Sequence, residues 1–161
     1  MSENLEIAGN TKEEFFETLI PQIENLILGE TNLIANLANV SAAIKMTFNH
    51  LWVGFYLVEG NQLVLGPFQG PIACTRILKG KGVCGSAWEN EETIIVANVN
   101  EFPGHISCSS QSVSEIVIPI FNPEKKIIGV LDVDSKNKNQ FDTTDKFYFE
   151  KINSLITKSL P

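Results

Sequence analysis

Three cysteines, Cys74, Cys84 and Cys108, and three carboxylates, Glu115, Asp132 and Asp134, are the side chains whose type and spacing could do chemistry. Cys108 lies in the stretch 102–120, FPGHISCSSQSVSEIVIPI. The stretch opens on the turn pair Pro103-Gly104 and continues through serines too polar to pack a core. It then enters a buried strand, Ile116-Val117-Ile118, which Pro119 should stop. A thiol on such a loop, three residues after His105 and followed by Glu115 at the mouth of a strand, fits redox or nucleophilic chemistry. The plainer reading is a surface loop with an incidental cysteine and a solvated histidine.

The thiols are spaced without the paired C-x-x-C knuckles of structural zinc sites, which argues against zinc with His105 as fourth ligand. A buried apolar cysteine is common, and that reading suits Cys74 on its strand better than Cys84 between glycines or Cys108 among serines. The functional reading is a thiol cycle: one cysteine attacks, and another resolves the product as a disulfide. Carboxylates brought close together raise one another's pKa, so one can stay protonated as an acid. Trp52 and Tyr56, two apart on one strand face, could wall a pocket for an apolar or sulfur-bearing ligand, or simply pack a core.

These side chains need a scaffold, and the chain is long enough for one domain with a core of its own: 161 residues, 43% hydrophobic and 19% charged. The formal net charge of -7 disfavours nucleic acid and anionic membranes as partners. The first six residues are acidic and polar, unlike a secretory leader, so a cytoplasmic setting with reduced thiols is expected. An odd cysteine count argues against a disulfide framework.

Residues 1–10 are expected to be a mobile tail, and 11–161 the domain. Thr11 and Glu14 form a capping-box pattern ahead of Phe15, Phe16, Leu19, Ile20, Ile23, Leu26 and Ile27 at helical spacing. Pro21 should kink or break that helix. A second helix from near Thr31 carries Leu33, Leu37, Val40 and Ile44. From Leu51 the period changes to two. Strands are predicted over 51–58, 62–65, 74–78, 93–99, 116–121 and 126–134, with a stiff loop at 66–70 and a short helix over 83–88. Asp132 and Asp134 fall on one face at the end of the last strand. Asp142 can cap a closing helix carrying Phe147, Ile152, Leu155 and Ile156. Hairpin-joined strands flanked by helices make a mostly antiparallel α+β fold.

The segments WVGFYLV, LVLGPFQGPIAC, GKGVCGSAW, FPGHISC, SEIVIPI and IIGVLDVDS, in this order, resemble the free methionine-R-sulfoxide reductase family, which has the GAF fold. The likeness spans about residues 30 to 150 and departs at Ser109, where members often carry an acid. It implies a six-stranded sheet, a homodimer, and a pocket closed by the central loop. It also implies Cys108 as nucleophile with Cys74 or Cys84 resolving, Cys84 as nucleophile remaining open. The matches of Glu115, Asp132 and Asp134 would hold the ammonium and sulfoxide, and those of Trp52 and Tyr56 would enclose the methyl group. The expected reaction reduces free methionine-R-sulfoxide through a sulfenic acid and a disulfide, with thioredoxin as reductant and neither metal nor organic cofactor. The competing class is a GAF-type small-molecule or redox sensor without catalysis, which would not need the matched thiols.

Overall fold

Alternation of apolar residues after position 50 builds a sheet with two differently used faces. The computed structural model describes residues 4–161. In chain order the elements are α1 (Lys12–Ile27), α2 (Leu33–Phe48), β1 (Trp52–Glu59), β2 (Gln62–Gln69), β3 (Arg76–Leu78), α3 (Gly82–Asn90), β4 (Ile94–Val96), β5 (Ser114–Phe121), β6 (Ile127–Ser135) and α4 (Thr143–Ser159). The six strands form one antiparallel sheet in the order β3-β2-β1-β6-β5-β4. This is the expected α+β class. No helix among the described residues is long and apolar enough to cross a membrane.

Odd positions of β1, Val53, Phe55 and Leu57, face the main core with Ile116, Ile118 and Ile120 of β5 and Leu131 and Val133 of β6. Phe16, Leu19 and Ile23 of α1, Leu37, Val40 and Ile44 of α2, and Phe149, Ile152 and Ile156 of α4 close that core. Each such side chain contributes about 1.5–3 kcal/mol by leaving water. Even positions of β1 face the other way, toward α3 and the long loop between β4 and β5. The main core therefore makes the sheet rigid from behind, and the second face is left to build a pocket.

Several local expectations are corrected. Helix α1 runs unbroken through Pro21. The proline lies on the exposed face, where the carbonyl that loses its N–H partner can turn to water. Strand β2 continues through Gly66, Pro67 and Phe68 to Gln69, because β1 pairs with it along its whole length past an irregularity between Gly54 and Tyr56. Pro119 does not stop β5. It pairs toward β6, and β4 ends opposite Val117, so no neighbour asks for the missing N–H. In α4 the buried aromatic is Phe149, while Phe147 is 61% exposed. The predicted strands at 74–78 and 93–99 shrink to three residues each.

The caps follow the sequence. Thr11 with Glu14, and Asp142 with Asp145, form capping boxes at α1 and α4. Lys12 at the start of α1 ion-pairs with buried Asp145 at 2.5 Å and with Asp142 at 3.0 Å, which ties the two helix starts together. The expected mobile tail falls partly outside the described residues. Within them, Leu5 and Ile7 pack against the core and the Glu6 N–H donates to Gln22 Oε1.

Next to this junction His50 is 8% exposed, its ring stacked on Phe48 and tilted against Phe141. Its Nε2 has no hydrogen-bond partner among the described residues. Burial, with Lys12 and Lys45 nearby, lowers its pKa from 6.5 to about 4. The folded state thus keeps the ring neutral while the unfolded chain takes up a proton below pH 6.5. This contribution is present above that pH and lost as the pH falls toward 4, at a cost of roughly 3 kcal/mol at most. We expect His50→Phe to lose less stability than the wild type between pH 6.5 and 4. Parallel curves of Tm against pH would show that the ring carries no such penalty.

Candidate active site

Register decides what meets on the second face. Trp52 of β1 stands opposite Asp134 of β6, which stands opposite Glu115 of β5. In the next row on the same face, Gly54, Asp132 and Val117 align. A Cβ at Gly54 would come within 2.4 Å of Phe68 Cβ and 2.5 Å of the Trp52 ring, so only glycine lets that ring lie across the strand. Trp52 stacks on Phe68 at 5.2 Å and on Tyr56 at 5.8 Å between centroids. Trp52, braced by Phe68, and Tyr56 make one apolar wall, and the acids beside it make the floor of a cavity.

The wall also holds the segment that carries Cys74. Trp52 Nε1 donates to the Pro71 carbonyl at 3.1 Å, and the Tyr56 hydroxyl donates to the Cys74 carbonyl at 2.9 Å. Across the cavity mouth Cys74 and Cys108 form a disulfide, with Cα atoms 5.2 Å apart. The structure therefore holds this pair in its oxidised form. The pairing arises because the segment before β3 and the loop before β5 face each other over the same cavity. Cys84 is the free thiol, 4% exposed in the first turn of α3. It is Cys84, and not Cys74, that fits the buried apolar reading.

Burial governs the electrostatics. Glu115 and Asp132 are each 6% exposed, whereas Asp134 opens toward the cavity. The Cys84 thiol donates to Glu115 Oε1 at 3.8 Å. Burial, followed by the charges of Asp132, Glu115 and Asp134, holds that thiol protonated well above its ordinary range. Burial and the charges of Asp132 and Asp134 likewise raise Glu115. Asp134 is raised by burial and Asp132, against a hydrogen bond from the Ser112 hydroxyl. Asp132 is lifted by burial only to about 6, tempered by the polar hydrogens of Glu115, Cys84 and Asp134. Asp132 is raised less than its two neighbours, so it ionises first as the pH rises, and Glu115 and Asp134 hold their protons longer. Asp132 Oδ1 has no hydrogen-bond partner among the described residues.

Cys84 Sγ and carboxylate oxygens of Glu115 and Asp132 lie within 4.8 Å of one another and could converge on a cation. Binding would require the thiol and Glu115 to give up their protons beside Asp132. The burial that raises all of them favours proton donation instead. The zinc arrangement weighed above, three thiols with His105, does not form, since two of those sulfurs are bonded to each other.

A six-stranded antiparallel sheet with helices on one face and a loop-covered pocket on the other is the GAF architecture, and a sequence model of the GAF domain matches residues 38–158. The chain is 60% identical over 157 residues to GAF domain-containing protein A of Dictyostelium discoideum, covering 97% of this chain and 99% of that one. It is 45% identical over 156 residues to the Saccharomyces cerevisiae free methionine-R-sulfoxide reductase, covering 92% and 87%. The Neisseria meningitidis free methionine-R-sulfoxide reductase, solved in complex with its substrate, has a TM-score of 0.95 at 46% identity, covering 98% of this chain and 95% of that one. Within the GAF class, the chain belongs to the free methionine-R-sulfoxide reductase family.

Of the residues singled out from the sequence, Cys84, Cys108, Glu115, Asp132, Asp134, Trp52 and Tyr56 line this one cavity, and Cys74 is joined to it through its bond to Cys108. Phe68 and Ser112 were not singled out. Phe68 was hidden by assigning 66–70 to a loop, and Ser112 by the run of serines around it, where nothing marks the one that reaches Asp134. We expect the native oxidised protein to show no thiol reactive toward an aromatic disulfide reagent, and one per chain after denaturation. Prior reduction should expose Cys74 and Cys108 in the native state. Rapid labelling of Cys84 in the folded oxidised chain would contradict its burial.

Proposed function

We propose that this chain reduces free methionine-R-sulfoxide to methionine through thiol chemistry on Cys108. One observation carries the reading: the Cys74–Cys108 disulfide opens on a cavity that joins an aromatic wall to a floor of carboxyl groups in different protonation states. The family membership supports the same substrate.

In the reduced enzyme the Cys108 thiolate attacks the sulfoxide sulfur. Glu115 or Asp134 gives a proton to the departing oxygen, which ends on Cys108 as a sulfenic acid, and methionine leaves with two electrons gained. The Cys74 thiol then attacks the sulfenic sulfur and releases water, forming the disulfide. A protein dithiol of the thioredoxin type reduces it. Cys84, buried and held protonated against Glu115, is a poorer nucleophile than a cysteine at the cavity mouth. The substrate ammonium sits on Asp132, whose Oδ1 faces no internal donor, and the methyl group packs on Trp52 and Tyr56. A homodimer belongs to the same reading through the family resemblance.

Only one sulfoxide epimer can point its oxygen at the acids while showing its sulfur to Cys108. We therefore expect exhaustive reaction with a racemic mixture and dithiothreitol to leave close to half the sulfoxide, all of it the S epimer by chiral chromatography. N-acetylation should cost about 10²-fold or more in kcat/KM, since it strips the ammonium from buried Asp132. Complete consumption, or equal rates on the acetylated compound, would refute the substrate assignment. The cysteine roles have their own check. Cys108→Ser should be inactive with any reductant. Cys74→Ser should fail with thioredoxin yet keep most of its activity with dithiothreitol, because a small thiol reduces the sulfenic acid directly. Full activity in Cys108→Ser would move the nucleophile to Cys84.

A further inference from the structure

The thiol cycle leaves one proton without a destination. Cys108 must lose its proton to attack, yet the carboxyls around it are either held protonated to serve as acids or, in Asp132, needed for the ammonium. A thiol beside carboxylates is also harder to ionise than one in water. His105 is the remaining group in the cavity able to take a proton at neutral pH. It lies three residues before Cys108 on the same loop and lines the cavity with it. Its Nδ1 is buried and has no hydrogen-bond partner among the described residues. The loop is held by the His105 N–H donating to the Phe102 carbonyl at 3.1 Å and the Cys108 N–H donating to the Ile106 carbonyl at 3.1 Å. The apolar side chain of Ile106 meanwhile lies against Gly82 at the start of α3.

We propose that His105 is the base that takes the Cys108 proton when the thiol attacks, and that it returns this proton to the acid floor afterwards. This deepens the thiol reading of the site above and assigns a residue which that reading leaves idle. With the one ring proton on Nε2, Nδ1 keeps a lone pair that no donor among the described residues occupies. The S–H bond of Cys108 breaks, its proton goes to Nδ1, and its electron pair goes to the sulfoxide sulfur. The oxygen takes a proton from Glu115 or Asp134. The site then holds an imidazolium and a carboxylate in place of a neutral pair. Transfer of the proton between them restores both before Cys74 attacks the sulfenic acid. No oxidant or reductant beyond the sulfoxide and the two thiols takes part.

The surroundings are consistent with that traffic. Besides Cys108, Tyr56 on β1, Lys81 at the start of α3, Cys84 on α3, Glu115 on β5, and Asp132 and Asp134 on β6 are the charged or titratable groups that line the cavity with His105. Burial lowers the imidazole below its ordinary 6.5, so the ring is neutral and ready to accept at physiological pH. A base in this position need not stay charged in the resting enzyme.

The test reads the thiol before it reads turnover. In fully reduced protein, alkylation of Cys108 by iodoacetamide is followed against pH and localised by peptide mass spectrometry, with buried Cys84 as internal reference. We expect His105→Gln to slow Cys108 alkylation near pH 7 by about 10-fold and to move its half-point to higher pH, at unchanged circular dichroism. For kcat/KM on free methionine-R-sulfoxide, the loss should be about 10²-fold near pH 7, shrinking as the pH approaches 9, with partial rescue of His105→Gly by added imidazole. A Cys108 alkylation profile identical to wild type would overturn the proposal, as would an activity loss of the same size at every pH without imidazole rescue. Because alkylation needs no substrate, these outcomes stand apart from a failure of the substrate assignment.

Discussion

The pocket depends on carboxyl groups gathered out of water. Moving a single carboxylate into an apolar interior costs several kcal/mol unless it is paired or takes up a proton. No arginine or lysine pairs with Glu115, Asp132 or Asp134 among the described residues; the ion pairs lie elsewhere. The group therefore settles its own charge, with protons kept on Glu115 and Asp134 and shared around Asp132. Such an arrangement survives only on a frame that cannot splay to let water in. The three central strands provide it, because the opposite faces of β1, β6 and β5 are packed against α1, α2 and α4. Stability on one face of the sheet is what permits strain on the other.

The cysteines divide along the same boundary. Cys84 lies under the floor, on a helix whose glycine at position 85 has no room for a side chain, since a Cβ there would meet the Leu78 carbonyl at 2.4 Å. Cys74 and Cys108 lie at the mouth, each on a segment without regular structure. One of these segments hangs from the aromatic wall through Trp52 and Tyr56, the other from short backbone bonds of its own. Their disulfide links the wall side of the cavity to the loop side. A change in the redox state of this pair is thus a change in how the cavity is closed, made of covalent chemistry at its rim.

What the sequence made legible is what a period of two and a short motif can carry. The alternation Trp52, Gly54, Tyr56 against Val53, Phe55, Leu57 placed each side chain on its observed face. Asp132 and Asp134 share a face for the same reason. Their union with Glu115 depended on the register between β5 and β6, which no local pattern encodes. The errors have a common physical source. Pro21 and Pro119 were each read as breakers, and each sits where its missing N–H is tolerated: an exposed helix face where the freed carbonyl can turn to water, or a strand position without a neighbour asking for it. Local chemistry states what a proline lacks, and only the tertiary arrangement states whether the lack matters. Cys74 and Cys84 were likewise exchanged in the apolar reading because burial is set by α3 packing on β5 and β6.

Environment also resolves an apparent conflict in the pocket. The same cluster is asked to hold a cation and to donate a proton, and identical carboxyls in identical surroundings would do neither well. The three positions are not identical. Asp132 gathers the polar hydrogens of its neighbours and ionises near pH 6, while Glu115 and Asp134 feel its charge and keep their protons above that point. Burial raises all three, and the charge of an ionised Asp132 raises its two neighbours further, so the anion adds to the hold on the acids. A ligand ammonium arriving at Asp132 would weaken that hold by partly cancelling the charge. On the proposed reading, binding the substrate thus also makes the neighbouring acids readier to release the proton that the sulfoxide oxygen requires. An N-acylated ligand, bringing no cation, would forgo both effects at once, which is a physical basis for a preference for the free amino acid.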